Sequence, residues 1–377
     1  MTNRMQQKKV LVLHLGLDHY AHHVVPIAAE LSFRNNVEVV LGGYPFNRPL
    51  VDDILKDYPN HNVKWWELDI TRIQKILDIN KKGLPRVKHI FLRYKNRFKS
   101  FDLVVSPTLS FERIRVLVEA PDLNLAYCTH GAGDYVHGFL EAMNKYDLHL
   151  VSGQKIVDRM KSLGRKARKE VQIIGYPKFD LLRKRPNPSI FNNGNPTYLF
   201  NSHFREELDS YSAWGTKILD YFLERPHLNL IFAPHILFFE KVMKPRKFPK
   251  KYLKAPNIHV DFGSEACVDM TYVLAADVYI GDGSSQVYEF LVEKKPCVFL
   301  NPHGHDWKGN DDFAHWRFGE VVEKESRVIP AIEEAKALHP NYIDVQNEWF
   351  DYTFDLNDEP SGKRAADAII NFLTQHQ

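Results

Sequence analysis

Short apolar runs recur along this chain, and stretches with helical spacing separate most of them. The first run, residues 9–15 (KVLVLHL), follows a charged start and is typical of a buried parallel strand. Similar runs predict strands at residues 37–41, 63–68, 101–106, 124–129 and 148–152. Strands that alternate with helices predict an α/β fold with a doubly wound parallel sheet.

A second series of strands follows a turn-rich segment. Residues 171–174 form one candidate strand, and residues 185–196 are then rich in proline, asparagine and glycine, which is typical of a linker. Beyond it, apolar runs predict strands at residues 197–201, 229–233, 258–261, 278–281 and 297–300. Because 377 residues suit two domains, we predict two Rossmann-like lobes that face a central cleft.

The change of pattern sets the predicted limits of the lobes. We place the first lobe at residues 1–170, the second at residues 171–355, and a C-terminal helix that crosses back to the first lobe at residues 356–377. In such folds ligands bind outside the carboxyl ends of the strands. Side chains that directly follow a predicted strand are therefore the first candidates for a functional site.

The charge is nearly balanced overall but unevenly distributed. The formal net charge of +3 is low for a nucleic-acid-binding protein, so we expect no nucleic-acid partner. Residues 81–99 carry eight lysines and arginines without an acidic residue, and residues 244–254 carry six. Each stretch is either a solvated face or a peripheral contact with an anionic membrane surface or polymer, worth roughly 1 kcal/mol per basic residue.

Other classes of site are disfavoured by the sequence. The three cysteines lie far apart without CxxC spacing, which argues against a disulfide framework and against a zinc site. Four histidines crowd residues 14–23, but Asp18 is the only acidic residue among them, so we expect no metal ion. The sequence has no signal peptide and no apolar stretch of about 18 residues, so we expect a cytoplasmic protein.

One glycine-rich turn follows a predicted strand of the second lobe. Gly281, Asp282 and Gly283 form the turn, and Ser284 and Ser285 are placed to cap a helix at residues 286–293. Free backbone N–H groups, two hydroxyls and the helix dipole suit a phosphate or pyrophosphate. An ordinary βα turn with a serine cap has the same pattern, and the turn alone does not decide between the two.

An acidic side chain lies close to this turn. Glu289 belongs to the first turns of the predicted helix, where its carboxylate could accept hydrogen bonds from ribose hydroxyls.

A histidine follows a strand of the first lobe. His130, with Gly131 and Gly133 after it, is well placed for general base catalysis, since an unperturbed imidazole titrates near pH 6.5. Its alternative role is to cap the next helix.

Basic side chains also follow two strands of the second lobe. Arg205 is placed to bind a phosphate, and His235 to donate a hydrogen bond to a developing oxyanion. His203 is a further loop candidate, and His303 and His305 either line the cleft or belong to an ordinary loop.

Several segments, in chain order, resemble the CDP-glycerol glycerophosphotransferase family, which includes teichoic-acid primases and polymerases and has the two-lobed GT-B fold. The matching segments are THGAG at residues 129–133, YDLHLVS at 146–152, GYPKFD at 175–180, FNSHFRE at 200–206, APH at 233–235 and ADVYIGDGSSQVYEFLVEKKPCVFL at 276–300. The last segment is the most specific, and the likeness spans about residues 125–302.

The resemblance implies roles for individual residues. His130 would be the catalytic base, His235 the second catalytic histidine, and Ser284 and Ser285 would hold the nucleotide phosphate. Glu289 keeps the acidic character that the family shows at this position.

The chain also departs from the family pattern. Gly133 replaces a proline, Ala233 a lysine, Ile236 a proline and Gly283 a tyrosine. These departures leave CDP-glycerol, CDP-ribitol and a nucleotide sugar open as donors.

The expected function is the transfer of a polyol-phosphate unit from a CDP-activated donor to a hydroxyl acceptor in the synthesis of a cell-wall or capsule polysaccharide. The expected partners are the nucleotide donor and a polysaccharide or lipid-linked acceptor at the inner face of the plasma membrane, and no cofactor is required. A GT-B glycosyltransferase that uses a nucleotide sugar, a nucleotide-sugar 2-epimerase and a non-catalytic protein that binds an anionic ligand are the alternatives.

Overall fold

The computed structural model describes residues 7–16, 18–69, 86–182 and 188–376, and these fall into two compact units. Unit 1 comprises Met1–His130, Phe139–Arg185 and Tyr352–Gln377. Unit 2 comprises Gly131–Gly138 and Pro186–Asp351. The eight residues directly after His130 thus belong to unit 2, although the chain then returns to unit 1 until Arg185.

Unit 1 is built on a parallel sheet that has seven strands among the described residues. The strands are β1 (Lys8–His14), β2 (Val37–Gly43), β3 (Lys64–Glu67), β4 (Leu103–Ser106), β5 (Asn124–Cys128), β6 (Leu148–Val151) and β7 (Glu170–Ile173). Their order across the sheet is β3-β2-β1-β4-β5-β6-β7. Strands β4 and β6 are fully buried, and β1, β2 and β5 are buried except at one or two residues, as expected for a parallel sheet covered on both faces. The edge strands β3 and β7 are more exposed.

Unit 2 repeats this topology with six strands among the described residues. They are β8 (Thr197–Asn201), β9 (Asn229–Phe232), β10 (Ile258–Val260), β11 (Val278–Gly281), β12 (Cys297–Leu300) and β13 (Glu320–Val322). The order β10-β9-β8-β11-β12-β13 is that of a Rossmann sheet. The predicted α/β fold with two parallel sheets is therefore confirmed.

Helices connect the strands in both units. They are α1 (Ala21–Ser32), α2 (Arg48–Leu55), α3 (Val87–Arg93), α4 (Lys95–Phe98), α5 (Ile114–Val118), α6 (Gln154–Ser162), α7 (Pro177–Asp180), α8 (Thr216–Leu223), α9 (Phe238–Lys241), α10 (Lys250–Leu253), α11 (Thr271–Ala275), α12 (Gln286–Phe290), α13 (Val328–Leu338), α14 (Ile343–Thr353) and α15 (Ser361–Gln375). A π-helical turn, Tyr211–Gly215, leads into α8. No helix among the described residues is long and apolar enough to cross a membrane.

The predicted boundary between the lobes at residue 170 needs correction. Strand β7 pairs in parallel with β6, so it completes the first sheet instead of opening the second. The main crossing lies at Arg185–Pro186, within the turn-rich segment that the sequence offers as a linker, although residues 183–187 lie outside the described part of the chain. The prediction was wrong because the sheet that a four-residue strand joins depends on its pairing with another strand, which the run itself does not show.

The C-terminal helix α15 belongs to unit 1, where it packs against α1. Its first N–H groups are satisfied by Asp180, whose carboxylate accepts from the N–H of Ser361 at 2.9 Å and of Gly362 at 2.7 Å. A carboxylate at this end also complements the helix dipole. A side chain at position 362 would lie 3.1 Å from the carbonyl oxygen of Pro26, so glycine permits the close packing.

Each sheet has a point where the strand order reverses. It lies between β1 and β4 in unit 1 and between β8 and β11 in unit 2. In unit 2 the register pairs Gly281 with Asn201, so the loops that follow these two residues leave the sheet side by side. Ligands of doubly wound folds bind at such reversal points, next to the carboxyl ends of the strands.

The last residue of β1 is a buried histidine. His14 has no exposed surface, and neither ring nitrogen has a hydrogen-bond partner among the described residues. Burial lowers the pKa of His14 to about 4, because the charged ring would lose its hydration. At neutral pH the ring of His14 is therefore uncharged.

This burial predicts a dependence of stability on pH. Because the folded pKa lies below the unfolded value of about 6.5, the contribution of His14 is complete above pH 6.5 and is lost as the pH falls towards 4. Replacing His14 by leucine removes this loss. As the pH falls from 7.5 to 5, the wild type should lose about 2 kcal/mol of unfolding free energy that His14→Leu retains.

Urea unfolding at several pH values measures this difference. The exposed His227 supplies the control, and His227→Leu should follow the wild type in parallel. Parallel curves for His14→Leu and the wild type would contradict the assignment.

Candidate functional site

The glycine-rich turn lies at the strand reversal of unit 2, between Gly281 at the end of β11 and the start of α12. The helix is shorter than predicted, because it ends at Phe290. Ser285 is its N-cap but makes no side-chain capping bond, whereas the Oγ of Ser284 accepts from the N–H of Gln286 at 3.4 Å. The predicted serine cap of α12 is thus made by Ser284 rather than Ser285, through one long hydrogen bond.

The carboxylate of Asp282 points into the protein and is not available as a phosphate ligand, which corrects its predicted role. It accepts from the hydroxyl of Ser202 at 3.0 Å, the N–H of His203 at 2.9 Å and the N–H of Gly283 at 2.6 Å. Ser210 adds its N–H at 2.9 Å and its hydroxyl at 2.7 Å. One buried carboxylate therefore joins the turn after β11 to the loop after β8.

Burial and hydrogen bonding oppose each other at this carboxylate. Loss of hydration raises the pKa of Asp282 to about 6, although the bonds from Ser210 and Gly283 favour the charged form and lower it. Ser202 and Ser210 are buried, and the Ser202 hydroxyl is shared with Asp209, so the N–H and hydroxyl of Ser210 are the buried donors that depend most on Asp282.

The carbonyl oxygen of Asp282 is occupied as well. Trp316 Nε1 donates to it at 2.9 Å, and His315 Nε2 lies at the same distance. Since a carbonyl has two lone pairs, no acceptor remains there for the N–H groups that follow in the turn. The N–H groups of Ser284 and Ser285 accordingly have no partner among the described residues, as an anion-binding turn requires.

The two serines differ in exposure. Ser284 is buried, whereas Ser285 is exposed and its hydroxyl can reach a ligand. Glu289, the predicted ribose-binding residue, is buried on α12, so its access to a ligand stays a prediction.

The glycines of the site are explained by close contacts within unit 2. A side chain at Gly283 would lie 2.8 Å from Cδ1 of Leu208, so the loop after β8 occupies the space of the tyrosine that the resembled family carries here. A side chain at Gly133 would lie 3.0 Å from Cβ of Ser285. Gly131 has open space around it.

Two histidines lie together at the carboxyl ends of β8 and β9. The ring centres of His203 and His235 are 5.2 Å apart, and the ring of Phe204 contacts both. Nδ1 of His203 accepts from the N–H of Arg205 at 3.2 Å, and Nδ1 of His235 accepts from the N–H of Leu237 at 3.1 Å. Each neutral ring therefore carries its proton on Nε2, as a hydrogen-bond donor.

The electrostatic surroundings keep His203 neutral. Burial, followed by the nearby His235 and Arg205, lowers the pKa of His203 to about 3. The guanidinium of Arg205 is partly exposed, lies over the ring of Tyr135 at 5.6 Å and is 3.5 Å from a carboxylate oxygen of Glu207. Arg205 thus keeps donors that a phosphate can use.

The other predicted histidines of unit 2 are structural. Nε2 of His303 lies 3.0 Å from the carbonyl oxygen of Asp209, and Nε2 of His305 lies 2.6 Å from that of Glu207. Both rings therefore brace the loop that follows β8.

The predicted base, His130, lies in unit 1, two residues beyond β5. Its Nδ1 is 2.5 Å from the carbonyl oxygen of Pro107, which follows β4, and the ring of Tyr20 meets it edge-on at 4.6 Å. A carbonyl only accepts, so Nδ1 carries the proton and Nε2 keeps a free lone pair. Burial lowers the pKa of His130 to about 4, and the bond to Pro107 opposes that shift.

Sequence reasoning missed three residues that support this site. Asp134 accepts from the hydroxyl of Tyr288 at 2.8 Å and from Nδ1 of His315 at 2.9 Å, and all three are buried in unit 2. Their positions in sequence are far apart, and no motif connects them. The isolated Asp134 next to the HGAG segment was the single available signal.

The central position of Asp282 predicts a large loss of stability on its removal. Asp282→Ala leaves several buried donors without an acceptor, so the unfolding free energy should fall by about 3 kcal/mol or more. Chemical denaturation measures this fall, and Asp306→Ala, at an exposed loop aspartate, is the control. A loss of less than about 1 kcal/mol would contradict the role given to Asp282.

Comparison with known proteins supports the resemblance seen in the motifs. Residues 224–371 match the model of a family described as CDP-Glycerol:Poly(glycerophosphate) glycerophosphotransferase. The matched range contains His235, the turn at residues 281–285 and Glu289, but neither His130 nor Arg205. No curated protein sequence matches the chain significantly.

Solved structures with low sequence identity share the fold over nearly the whole chain. The UDP-GlcNAc 2-epimerase from Neisseria meningitidis, bound to UDP-GlcNAc, has a TM-score of 0.63 at 14% identity, covering 97% of this chain and 100% of its own. The wall teichoic acid polymerase TagF has a TM-score of 0.62 at 10% identity, covering 98% and 89%. The glycotransferase of kitacinnamycin has a TM-score of 0.59 at 10% identity, covering 96% and 98%.

At these identities the structural likeness shows the fold alone, which is the two-sheet GT-B type. The family match agrees with the resemblance read from the motifs over residues 224–371. This part of the chain is therefore similar to the CDP-glycerol glycerophosphotransferase family, and the chain as a whole has the GT-B fold.

Proposed function

We propose that the protein transfers a polyol-phosphate unit, such as glycerol phosphate, from a CDP-linked donor to a hydroxyl acceptor in the synthesis of a cell-wall polymer. The observation that carries this proposal is the family match, because it covers the part of unit 2 that contains His235 and the turn at residues 281–285. The two free N–H groups in that turn support a phosphate-bearing donor.

The reaction is a displacement at phosphorus. The acceptor hydroxyl attacks the phosphorus that carries the polyol, a new O–P bond forms, and the bond to the bridging oxygen breaks. CMP leaves with the electron pair of that bond, and the acceptor hydroxyl gives up its proton. No oxidant or reductant is needed.

His130 is the base in this proposal. Its Nδ1–H is held by Pro107, so Nε2 is the atom that accepts the proton of the acceptor hydroxyl. With a pKa near 4 the ring is neutral at physiological pH, so the base form is available without prior deprotonation. The imidazolium formed by proton transfer keeps its bond to the Pro107 carbonyl, which stabilises it.

Unit 2 supplies the groups for the leaving CMP. The N–H groups of Ser284 and Ser285 and the exposed Ser285 hydroxyl can receive one phosphate. His235 offers Nε2–H and Arg205 offers guanidinium donors for negative charge on the diphosphate. The proposal therefore requires donors aimed at phosphate oxygens but no metal ion.

A nucleotide-sugar 2-epimerase is the main alternative, since the fold is shared with such an enzyme. That chemistry needs carboxylates at the sugar, and Asp134 is the acidic residue of the segment after His130. Its carboxylate is buried and already receives Tyr288 and His315, so it is not free to exchange protons with a sugar. This observation favours the transferase.

A membrane contact at the inner face of the plasma membrane is part of the proposal for the acceptor. Within residues 86–99, the basic side chains on and around α3 and α4 are mostly exposed, and Leu92 and Val116 add exposed apolar surface nearby. Lys95 and Lys99 pair with Glu119, however, which reduces the charge offered to lipid. Residues 81–85 lie outside the described part of the chain.

The role of His130 predicts a specific loss of turnover. His130→Ala should lower kcat for CMP release from CDP-glycerol by at least about 100-fold, because general base catalysis contributes that much or more. The exposed His227→Ala is the matched control and should keep wild-type turnover. Wild-type turnover in His130→Ala would overturn the assignment of the base.

The donor prediction is tested by ligand-dependent stability. CMP and CDP should raise the unfolding free energy most among CMP, CDP, UDP, GDP and ADP, by about 2.7 kcal/mol at 100 times the dissociation constant. Thermal shift across this panel measures the effect. Stabilisation by UDP with none by CDP would favour a nucleotide-sugar donor instead.

A further inference from the structure

Segment Gly131–Gly138 is bonded directly to His130, yet the contacts that hold it belong to unit 2. The N–H of Val136 donates to Asp312 at 3.0 Å, and Tyr135 lies against Arg205. The strongest attachment is Asp134, whose carboxylate receives Tyr288 and both the N–H and Nδ1 of His315. The segment is thus fixed at several points, with Asp134 at its centre.

His315 faces acceptors on both sides of its ring. Nδ1 lies 2.9 Å from the carboxylate of Asp134, and Nε2 lies 2.9 Å from the carbonyl oxygen of Asp282. A carbonyl oxygen cannot donate, so Nε2 carries the hydrogen of its bond to Asp282, and Nδ1 shares a second hydrogen bond with the Asp134 carboxyl group. The ring is thus held at both nitrogens.

One imidazole ring therefore connects two functional segments of unit 2. One end holds the segment that starts after the proposed base, and the other end holds the turn whose N–H groups face the donor phosphate. The bond to Asp282 also removes the acceptor that Ser285 N–H would otherwise use in the turn. Burial of Asp134, His315 and Tyr288 leaves water little chance to replace these bonds.

We propose that Asp134, His315 and Tyr288 are positioning residues for the transfer reaction, which set the place of His130 through segment Gly131–Gly138. The proposal rests on the proposed function, since it assumes that His130 is the base. All three side chains are buried in unit 2. Their effect on turnover passes through His130.

A purely structural role for Asp134 gives a different expectation. Loss of buried hydrogen bonds in the interior lowers the folded fraction and the melting temperature whatever residue stands at position 130. A positioning role lowers kcat in the folded protein, and it does so only while the base is present. The comparison of the two backgrounds separates these roles.

The test is a double-mutant cycle on the full chain. CMP release from CDP-glycerol with a short poly(glycerophosphate) acceptor is measured for the wild type, Asp134→Ala, His130→Ala and the double variant, with the folded fraction of each checked by circular dichroism. Asp134→Ala should lower kcat at least 10-fold with the KM for CDP-glycerol changed less than about threefold. In the His130→Ala background the further loss should be less than about twofold.

A second variant covers the case in which Asp134→Ala does not fold. Tyr288→Phe keeps the ring and loses one bond to Asp134, so it should show the same pattern with a smaller fall in kcat.

The possible outcomes separate the two proposals. Wild-type kcat in folded Asp134→Ala or Tyr288→Phe, or an equal loss in both backgrounds, would overturn the positioning role alone. Full turnover in His130→Ala would overturn the assignment of the base and the positioning role with it, whereas no turnover in the wild type would overturn the proposed function.

Discussion

The buried Asp282 is the point on which the site in unit 2 depends. Its carboxylate gathers donors from the loop after β8 and from its own turn, and its carbonyl receives His315 and Trp316. The carboxylate and the carbonyl oxygen of Asp282 therefore both accept hydrogen bonds that hold neighbouring segments of unit 2 in place. The consequence for function lies two and three residues further, where the N–H groups of Ser284 and Ser285 have no partner among the described residues and can bind an anion.

In each unit, backbone geometry sets the tautomer of the candidate histidines. His203 and His235 each accept a backbone N–H two residues ahead, which leaves Nε2–H as a donor. His130 instead donates Nδ1–H to a carbonyl, which leaves Nε2 as a base. The same side chain therefore serves opposite roles according to the partner of Nδ1, and burial keeps His130 and His203 uncharged.

The sequence predicted the features that depend on local pattern. The strands from β1 to β12 follow from short apolar runs, and the turn after β11 follows from its glycines and serines, whereas β13 was not predicted. The strand-end placement of His130, His203 and His235 follows from the same runs. The return of a C-terminal helix was also anticipated, and α15 does belong to unit 1.

The errors arose where distant contacts decide the outcome. β7 belongs to the first sheet because it pairs with β6, and an apolar run of four residues does not show which sheet it joins. The sequence predicts Asp282 as a ligand because it lies in the turn, but most of its donors come from residues 202–210. Asp134, His315 and Tyr288 are separated by up to 181 positions, so no spacing could reveal their contact.

The identity of the bond broken in the donor is the central claim, and product analysis by phosphorus NMR measures it most directly. With CDP-glycerol and a poly(glycerophosphate) acceptor, the account predicts equal amounts of CMP and of a new phosphodiester signal on the acceptor. Release of CDP, or conversion of a nucleotide sugar without an acceptor, would contradict it.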